Sequence, residues 1–420
     1  MSTVWIVNHY AVDPGVAASG SRHFSLSKRL AELGWTPVVI AATSGHNSPG
    51  QHLSNREPWV QTDREGMTFR WLRTSEYAGN GLGRVVNILQ FTVALLRRRS
   101  TRGLPAPDII VGSTVHPLAA WAASVVAKRL GVPFVFEIRD LWPQTLIDMG
   151  KISANGPVAL FLRALEKHLC NRAASIITLL PRASDYLEFV GVDPAKVVWI
   201  SNGTDARQFA SAPPVPSGPF TFGYFGSLGY ANGMTNIVRG FGSFLTQTEG
   251  ADCRLSIVGS GPQRSQLEAL ADELGLAAHV DFQDAVPKDQ IPAVATRSHA
   301  LVLNLLDLKI YRYGISLNKL FDYMAAGRPI LFAGNPVNNP VQDADGGICV
   351  GADDPTEIAR GMMQMWSASK EQRETWGANA AVHVAENYDY RVLGDKLDRV
   401  LGAIVNDAGR DSGHGLDRSS

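Results

Sequence analysis

The chain has 420 residues, too many for one compact core and suited to two domains of ordinary size. Apolar residues make up 45%, enough to furnish a core in each, and 39 basic side chains balance 39 acidic ones. That balance excludes the basic excess expected of a nucleic-acid binder.

From residue 4 onward, short β-branched runs alternate with helical periodicity, the pattern of a parallel-sheet α/β protein. Strands are predicted over 4–8, 36–41, 68–72, 109–112, 134–137, 176–179 and 197–200, and helices over 21–33, 82–99, 117–130, 158–173 and 181–190. The chain opens on a strand instead of a basic lead and cleavable apolar run, and no apolar stretch reaches the length of a bilayer span. Cys170, Cys253 and Cys349 are odd in number and far apart, which fits reduced thiols and not a disulfide framework or a metal site. A cytoplasmic location is the expectation. Residues 210–219 carry Pro213, Pro214, Pro216 and Pro219, which rule out a helix or central strand and mark a linker.

Alternation then restarts. Strands are predicted over 220–225, 254–258, 280–283, 300–304 and 330–332. Helices are predicted from about 234 and over 263–274, 289–296 and 316–326, with a closing helical region from 356. The expected organisation is a Rossmann-like domain over 1–209, a linker over 210–219 and a second Rossmann-like domain over 220–385. A C-terminal helix over 386–405 packs back on the first domain, and a polar, glycine-rich, disordered tail spans 406–420. Ligands of such doubly wound sheets sit outside the carboxyl ends of the strands, so two sheets in tandem imply an interdomain cleft.

Three motifs fall at strand ends. In the loop 13–22, Gly15 and Gly20 have the glycine spacing of a Walker loop, but Ser21-Arg22 replaces its Lys-Ser/Thr pair, so an NTPase is not indicated. A phosphate at the following helix N-terminus and a bare strand-to-helix turn both fit. Gly259-Ser260-Gly261 is a second such turn, with Arg264 where a dinucleotide fingerprint needs its third glycine. The third motif runs Tyr313-Gly314-Ile315-Ser316-Leu317-Asn318-Lys319-Leu320-Phe321-Asp322-Tyr323-Met324. Ser316 is the expected N-cap, and Lys319 falls in the first turn, where the helix dipole disfavours a cation. A lysine there points either to a nearby anion such as a diphosphate or to a helical ion pair with Asp322.

With this motif the sequence resembles the retaining glycosyltransferases of family 4, which have the GT-B fold. The resemblance extends to Ile200-Ser201-Asn202-Gly203-Thr204-Asp205, Phe225-Gly226-Ser227-Leu228, the Val258-Gly259-Ser260-Gly261-Pro262 turn and Val280-Asp281-Phe282. Glu137-Ile138-Arg139-Asp140-Leu141-Trp142-Pro143 looks like a subgroup that builds bacterial surface polysaccharides, such as O-antigen or capsule, from amino or deoxyamino sugars. What the resemblance implies is retaining transfer of a sugar from a nucleotide diphosphate, by family habit UDP, to a saccharide or polyprenyl-linked acceptor, with no metal or other cofactor. The donor would be held by the C-terminal domain and the acceptor by the N-terminal one. Two departures stand out. The family's first motif glutamate is Gly314 here, and its Arg and Lys in the first loop of the second domain are Ser227 and Asn232.

The donor site then draws on Gly20, Ser21, Gly226, Ser227, Gly259, Ser260, Gly261, Arg312, Ser316, Asn318, Lys319 and Asp322. Lys319, with Arg312, neutralises the leaving diphosphate, and Asp322 holds a ribose or sugar hydroxyl. His116 resembles a histidine placed near the donor sugar, although a lone histidine at a strand end is also a common structural residue. Glu137, Arg139 and Asp140 are expected on the acceptor or sugar side. Arg97-Arg98-Arg99 closes an apolar helix, either as C-capping cations or as a contact with an anionic membrane surface. The rivals are a nucleotide-sugar epimerase or phosphorylase on the same fold, and a non-catalytic sugar-nucleotide-binding protein.

Overall fold

The computed structural model describes residues 1–13, 22–44, 57–77, 79, 81–114, 116–210 and 217–414. The chain divides into two compact units, 1–201 with 390–420, and 202–389. The boundary therefore precedes the proline-rich stretch, which was expected to be the linker. The turn after residue 201 belongs to the second unit because its side chains are tied there: Asn202 and Thr204 bond to the Ser316–Asp322 region, and Phe209 joins that unit's core.

In the first unit, β1 (Thr3–Val7), β2 (Thr36–Ala42), β3 (Trp59–Arg64), β4 (Met67–Leu72), β5 (Ile109–Ser113), β6 (Phe134–Ile138), β7 (Ser175–Thr178) and β8 (Val197–Trp199) form one sheet. Its order is β3-β4-β2-β1-β5-β6-β7-β8, parallel except for the antiparallel edge strand β3. β1, β5, β6 and β7 are buried along their whole length, as strands covered on both faces must be. The helices of this unit are α1 (Arg22–Glu32), α2 (Leu82–Leu96), α3 (Pro117–Leu130), α4 (Gln144–Asp148), α5 (Pro157–Arg172) and α6 (Ala183–Phe189). α3 begins with Pro117 at its first position and ends at Gly131, whose φ of 70° supplies the left-handed cap.

Among its described residues the second unit has six parallel strands: β9 (Phe220–Phe225), β10 (Cys253–Val258), β11 (Val280–Gln283), β12 (Ala300–Asn304), β13 (Ile330–Ala333) and β14 (Gly347–Val350). Their order, β11-β10-β9-β12-β13-β14, is that of the dinucleotide-binding fold, with the topological switch between β9 and β12. Around it lie α7 (Met234–Gln247), α8 (Arg264–Glu273), α9 (Ile291–Ala295), α10 (Asn318–Ala325), α11 (Pro340–Asp343), α12 (Pro355–Ser367) and α13 (Lys370–Asn387).

α14 (Tyr390–His414) returns to the first unit and packs on α1. Leu393, Leu397 and Leu401 join Leu26 and Leu30 in its core, while Arg29 pairs with Asp395 at 2.8 Å and Trp35 Nε1 donates to Asp398 at 2.7 Å. Residues 406–414, expected in a disordered tail, thus extend this helix, and 415–420 lie outside the described residues. The three cysteines are unpaired, with Cys170 and Cys253 buried.

Candidate active site

Each doubly wound sheet has its ligand position at the switch point, where neighbouring strands send their helices to opposite faces. In the second unit that point holds Gly226-Ser227-Leu228 after β9, and Gly259-Ser260-Gly261 after β10 packs directly against it. The Gly226 N–H donates to the Val258 carbonyl (3.0 Å), and the Leu228 N–H donates to the Ser260 carbonyl (2.9 Å). A Cβ on Gly259 would lie 1.9 Å from the Gly226 oxygen. The glycine at 259 is therefore demanded by this neighbouring loop, and its own N–H is used by the Gln283 carbonyl (3.0 Å). The Gly226 and Gly259 amides, expected to face a phosphate, are instead spent on joining the loops.

Lys319 rises from the first turn of α10 into the same place. Its Nζ donates to Tyr224 Oη (2.8 Å) and to Asn232 Oδ1 (2.5 Å). Tyr224 Oη and Asn232 Nδ2 both donate to the Ser227 carbonyl, at 2.7 and 2.8 Å. The result is a closed ring of hydrogen bonds that aims the ammonium, and all its acceptors are neutral. Burial lowers the Lys319 pKa to about 7. The expected helical ion pair is not formed. Asp322, buried one turn later on α10, accepts from Thr204 Oγ1 (2.7 Å) and pairs with Lys288.

The N-cap of α10 is Leu317, with no side-chain cap. Ser316, expected in that role, instead accepts the Asn202 N–H at its hydroxyl (2.7 Å) and Asn202 Nδ2 at its carbonyl (2.7 Å). Hydrogen bonds to Asn202 outcompete the cap and fasten this loop to the unit's first turn. Arg312 is exposed, 4.8 Å from the Tyr313 ring, and Asn318 and Ser260 are exposed. Gly314 sits at φ 107°, ψ 178°, a conformation that side-chain-bearing residues avoid. The backbone itself is thus incompatible with the glutamate that the family carries there.

In the first unit, His116 is the N-cap of α3. Its Nδ1 accepts the Ala119 N–H (3.3 Å), which leaves Nε2 to donate to His9 Nδ1 (2.8 Å). His9 Nε2 then donates to Asn87 Oδ1 (2.7 Å). Every ring nitrogen of the pair is engaged and both rings are neutral: burial lowers His9 well below its usual value and His116 to about 3. His116, expected beside the donor sugar, is buried and works as a cap.

Glu137 was expected in a polar cluster with Arg139 and Asp140. The structure keeps Arg139 close enough to favour both carboxylates, but it buries Glu137 and gives it other partners. Glu137 is only 2% exposed, inside the unit, and accepts from Arg22 Nε (2.9 Å), His23 Nε2 (2.7 Å) and Ser113 Oγ (2.5 Å). Burial alone would raise its carboxyl, but His23 and Arg22 outweigh burial and hold it well below the usual carboxylate range. The guanidinium also holds the Ile200 and Ser201 carbonyls, and Asn8 Nδ2 donates to His23 Nδ1 (2.8 Å). Arg139 is half-buried, Asp140 is exposed, and Gly20 and Ser21 lie outside the described residues.

Comparison with known families places this geometry. A model of the glycosyl transferase 4-like domain matches residues 20–203, and one of the glycosyl transferases group 1 matches residues 205–383. The chain is a glycosyltransferase. Its two Rossmann-like domains are those of the GT-B fold. It is 25% identical over 304 residues to 2-deoxystreptamine glucosyltransferase of Streptomyces kanamyceticus, covering 66% of this chain and 72% of that one. Among solved structures it is similar to sucrose-phosphate synthase of Thermosynechococcus elongatus, with TM-score 0.73 and 15% identity over 97% of this chain and all of that one. It also resembles HepE of Anabaena in complex with UDP and glucose, with TM-score 0.65 and 12% identity over 96% of this chain and all of that one.

Sequence reasoning about this glycosyltransferase missed Tyr224, Asn232 as a lysine holder, Lys288, His9, Arg22 and His23. His9 follows the first predicted strand, Tyr224 lies in the one predicted over 220–225 and Arg22 reads only as a departure from a Walker loop; what the sequence hid is which distant groups they meet.

Proposed function

We propose that this glycosyltransferase takes its sugar from a UDP-linked donor, works without a divalent cation, and delivers to a hydroxyl of a saccharide or polyprenyl-linked acceptor with retention at the anomeric carbon. The observation that carries the reading is Lys319, an ammonium aimed by Tyr224 and Asn232 and left without a carboxylate among the described residues. A half-buried cation held among neutral acceptors is costly until an anion meets it, and a leaving diphosphate is that anion. The similarity to a structure in complex with UDP and glucose supports the choice of nucleotide.

In this reading the acceptor oxygen attacks the anomeric carbon on the face from which the diphosphate departs. The C–O bond to the diphosphate breaks, and a phosphate oxygen takes the acceptor's proton. Lys319 stabilises the charge that builds on the leaving group. Asp322 is buried and bonded to Thr204 and Lys288, and in this reading it acts through Lys288, which it holds near the motif. With Gly314 in place of a glutamate, no carboxylate at that position grips the donor's hydroxyls, and an N-acetylated amino or deoxyamino sugar is the favoured donor class.

A panel of UDP- and GDP-sugars, each offered with lipid-linked and free saccharide acceptors in EDTA, tests this. Product from a UDP-amino sugar with the donor's anomeric configuration by NMR is the expected result. Inverted product, or turnover only after divalent cation is added back, contradicts it.

A further inference from the structure

α2 is apolar on both faces. Phe91, Thr92 and Leu95 point into the first unit, while Leu82, Val85, Val86, Leu89 and Val93, recurring at helical spacing, are 46–84% exposed. A helix in water keeps its outer face polar, and among the described residues this stripe has no partner. Val86, Leu89 and Val93 of the stripe form one wall of a groove of about 720 Å³, within the range of ligand pockets, that runs to Arg73, Arg97 and Arg99 and has no carboxylate among its described lining.

The charge around it is one-sided. Between Glu76 and Asp108 there is no acidic residue, but there are Arg84, Arg97, Arg98, Arg99 and Arg102, in a chain whose net charge is zero. Helix capping does not account for the arginine run. The Leu96 carbonyl at the end of α2 is taken by Arg129 Nη1 (2.7 Å), whereas the Arg97, Arg98 and Arg99 side chains are exposed and make no hydrogen bond or ion pair among the described residues. A stripe of aliphatic side chains ending in unpaired guanidiniums fits an amphiphile with an apolar chain and an anionic head.

From this we infer that α2 docks the protein on a bilayer surface bearing anionic headgroups, with one lipid chain lying along Val86, Leu89 and Val93 and its phosphate at Arg97 and Arg99. No described helix is long and apolar enough to cross a membrane, so the contact is peripheral. It does not depend on the sugar donor and stands or falls separately from it.

The test is co-sedimentation of the full chain with vesicles of mixed phosphatidylglycerol and phosphatidylcholine, against phosphatidylcholine alone. Binding to the anionic vesicles only, weakening with salt, is expected. Each arginine near an anionic surface contributes roughly fivefold, so the triple variant Arg97→Ala, Arg98→Ala, Arg99→Ala loses about 100-fold in partitioning. Leu89→Glu with Val93→Glu, on exposed positions, removes binding while circular dichroism and an unchanged melting temperature show the fold of both variants intact. Equal binding to both vesicle types, or binding indifferent to both variants, overturns the inference. So does a dimer in solution that Leu89→Glu dissolves without any vesicle binding, which would give the stripe to a second copy of the chain.

Discussion

Lys319 is placed so that its protonation and its ligand are coupled. Its pKa of about 7 lies below that of a free lysine, so at neutral pH a large fraction is uncharged. A diphosphate beside it favours the ammonium and raises that pKa, so binding above pH 7 draws in a proton. The sign follows: UDP affinity falls as pH rises above about 7, since the apo side chain must then be charged on binding. Calorimetry in two buffers of different ionisation enthalpy should find close to one proton taken up at pH 8 by the wild type and none by Lys319→Ala. Equal uptake in both would move the coupling to another group. Position 314 carries a second residue-scale constraint. Because its φ is 107°, Gly314→Glu strains the loop and lowers stability instead of restoring the family's carboxylate.

At the level of elements, two contacts hold the loops that present the site. Gly259→Ala forces a methyl to within 1.9 Å of the Gly226 oxygen, and neither backbone has room to give. The expected loss is about 3 kcal/mol in urea unfolding, at the upper end for overpacking, together with weaker UDP binding because Gly226 lies against Lys319. In the first unit, Glu137→Ala strands the buried Arg22 guanidinium, and a drop of about 3–5 kcal/mol is expected for an orphaned buried charge. An unchanged melting temperature in either variant would contradict these accounts. The alternation of apolar strands with helices made most of the elements legible in the sequence. The misses have physical causes. β3 is an antiparallel edge strand with half-exposed polar residues, so it carries no buried run. β14 is four residues long and opens on Gly347, directly after Gly346. The partners of Lys319 and Glu137 were illegible because hydrogen bonds such as Lys319–Tyr224 and Arg22–Glu137 join residues about a hundred apart. Glu137 was misplaced for the same reason: a charge at a strand end reads as exposed unless its cation is known.

For the molecule as a whole, the chain enters the second unit at residue 202 and returns to the first at 390, so the first unit is completed only by the segment that follows the second. α14 supplies Leu393, Leu397 and Leu401 to the core around Ile6 and Leu30. Truncation after residue 389 should therefore leave the first unit unfolded or aggregated, exposing its apolar surface to dye, whereas truncation after 405 removes only the polar end of the helix and should leave the melting temperature nearly unchanged. A stable, cooperatively melting 1–389 fragment would contradict the assignment of α14. The central claim, that Lys319 grips the diphosphate of a uridine nucleotide, is tested most directly by calorimetric titration of UDP and GDP in EDTA into the wild type and Lys319→Ala. The account predicts metal-independent UDP binding, weaker GDP binding, and a loss of about 10–100-fold for UDP in the variant, the range for one charge-assisted hydrogen-bonding partner. UDP affinity indifferent to Lys319 would contradict it.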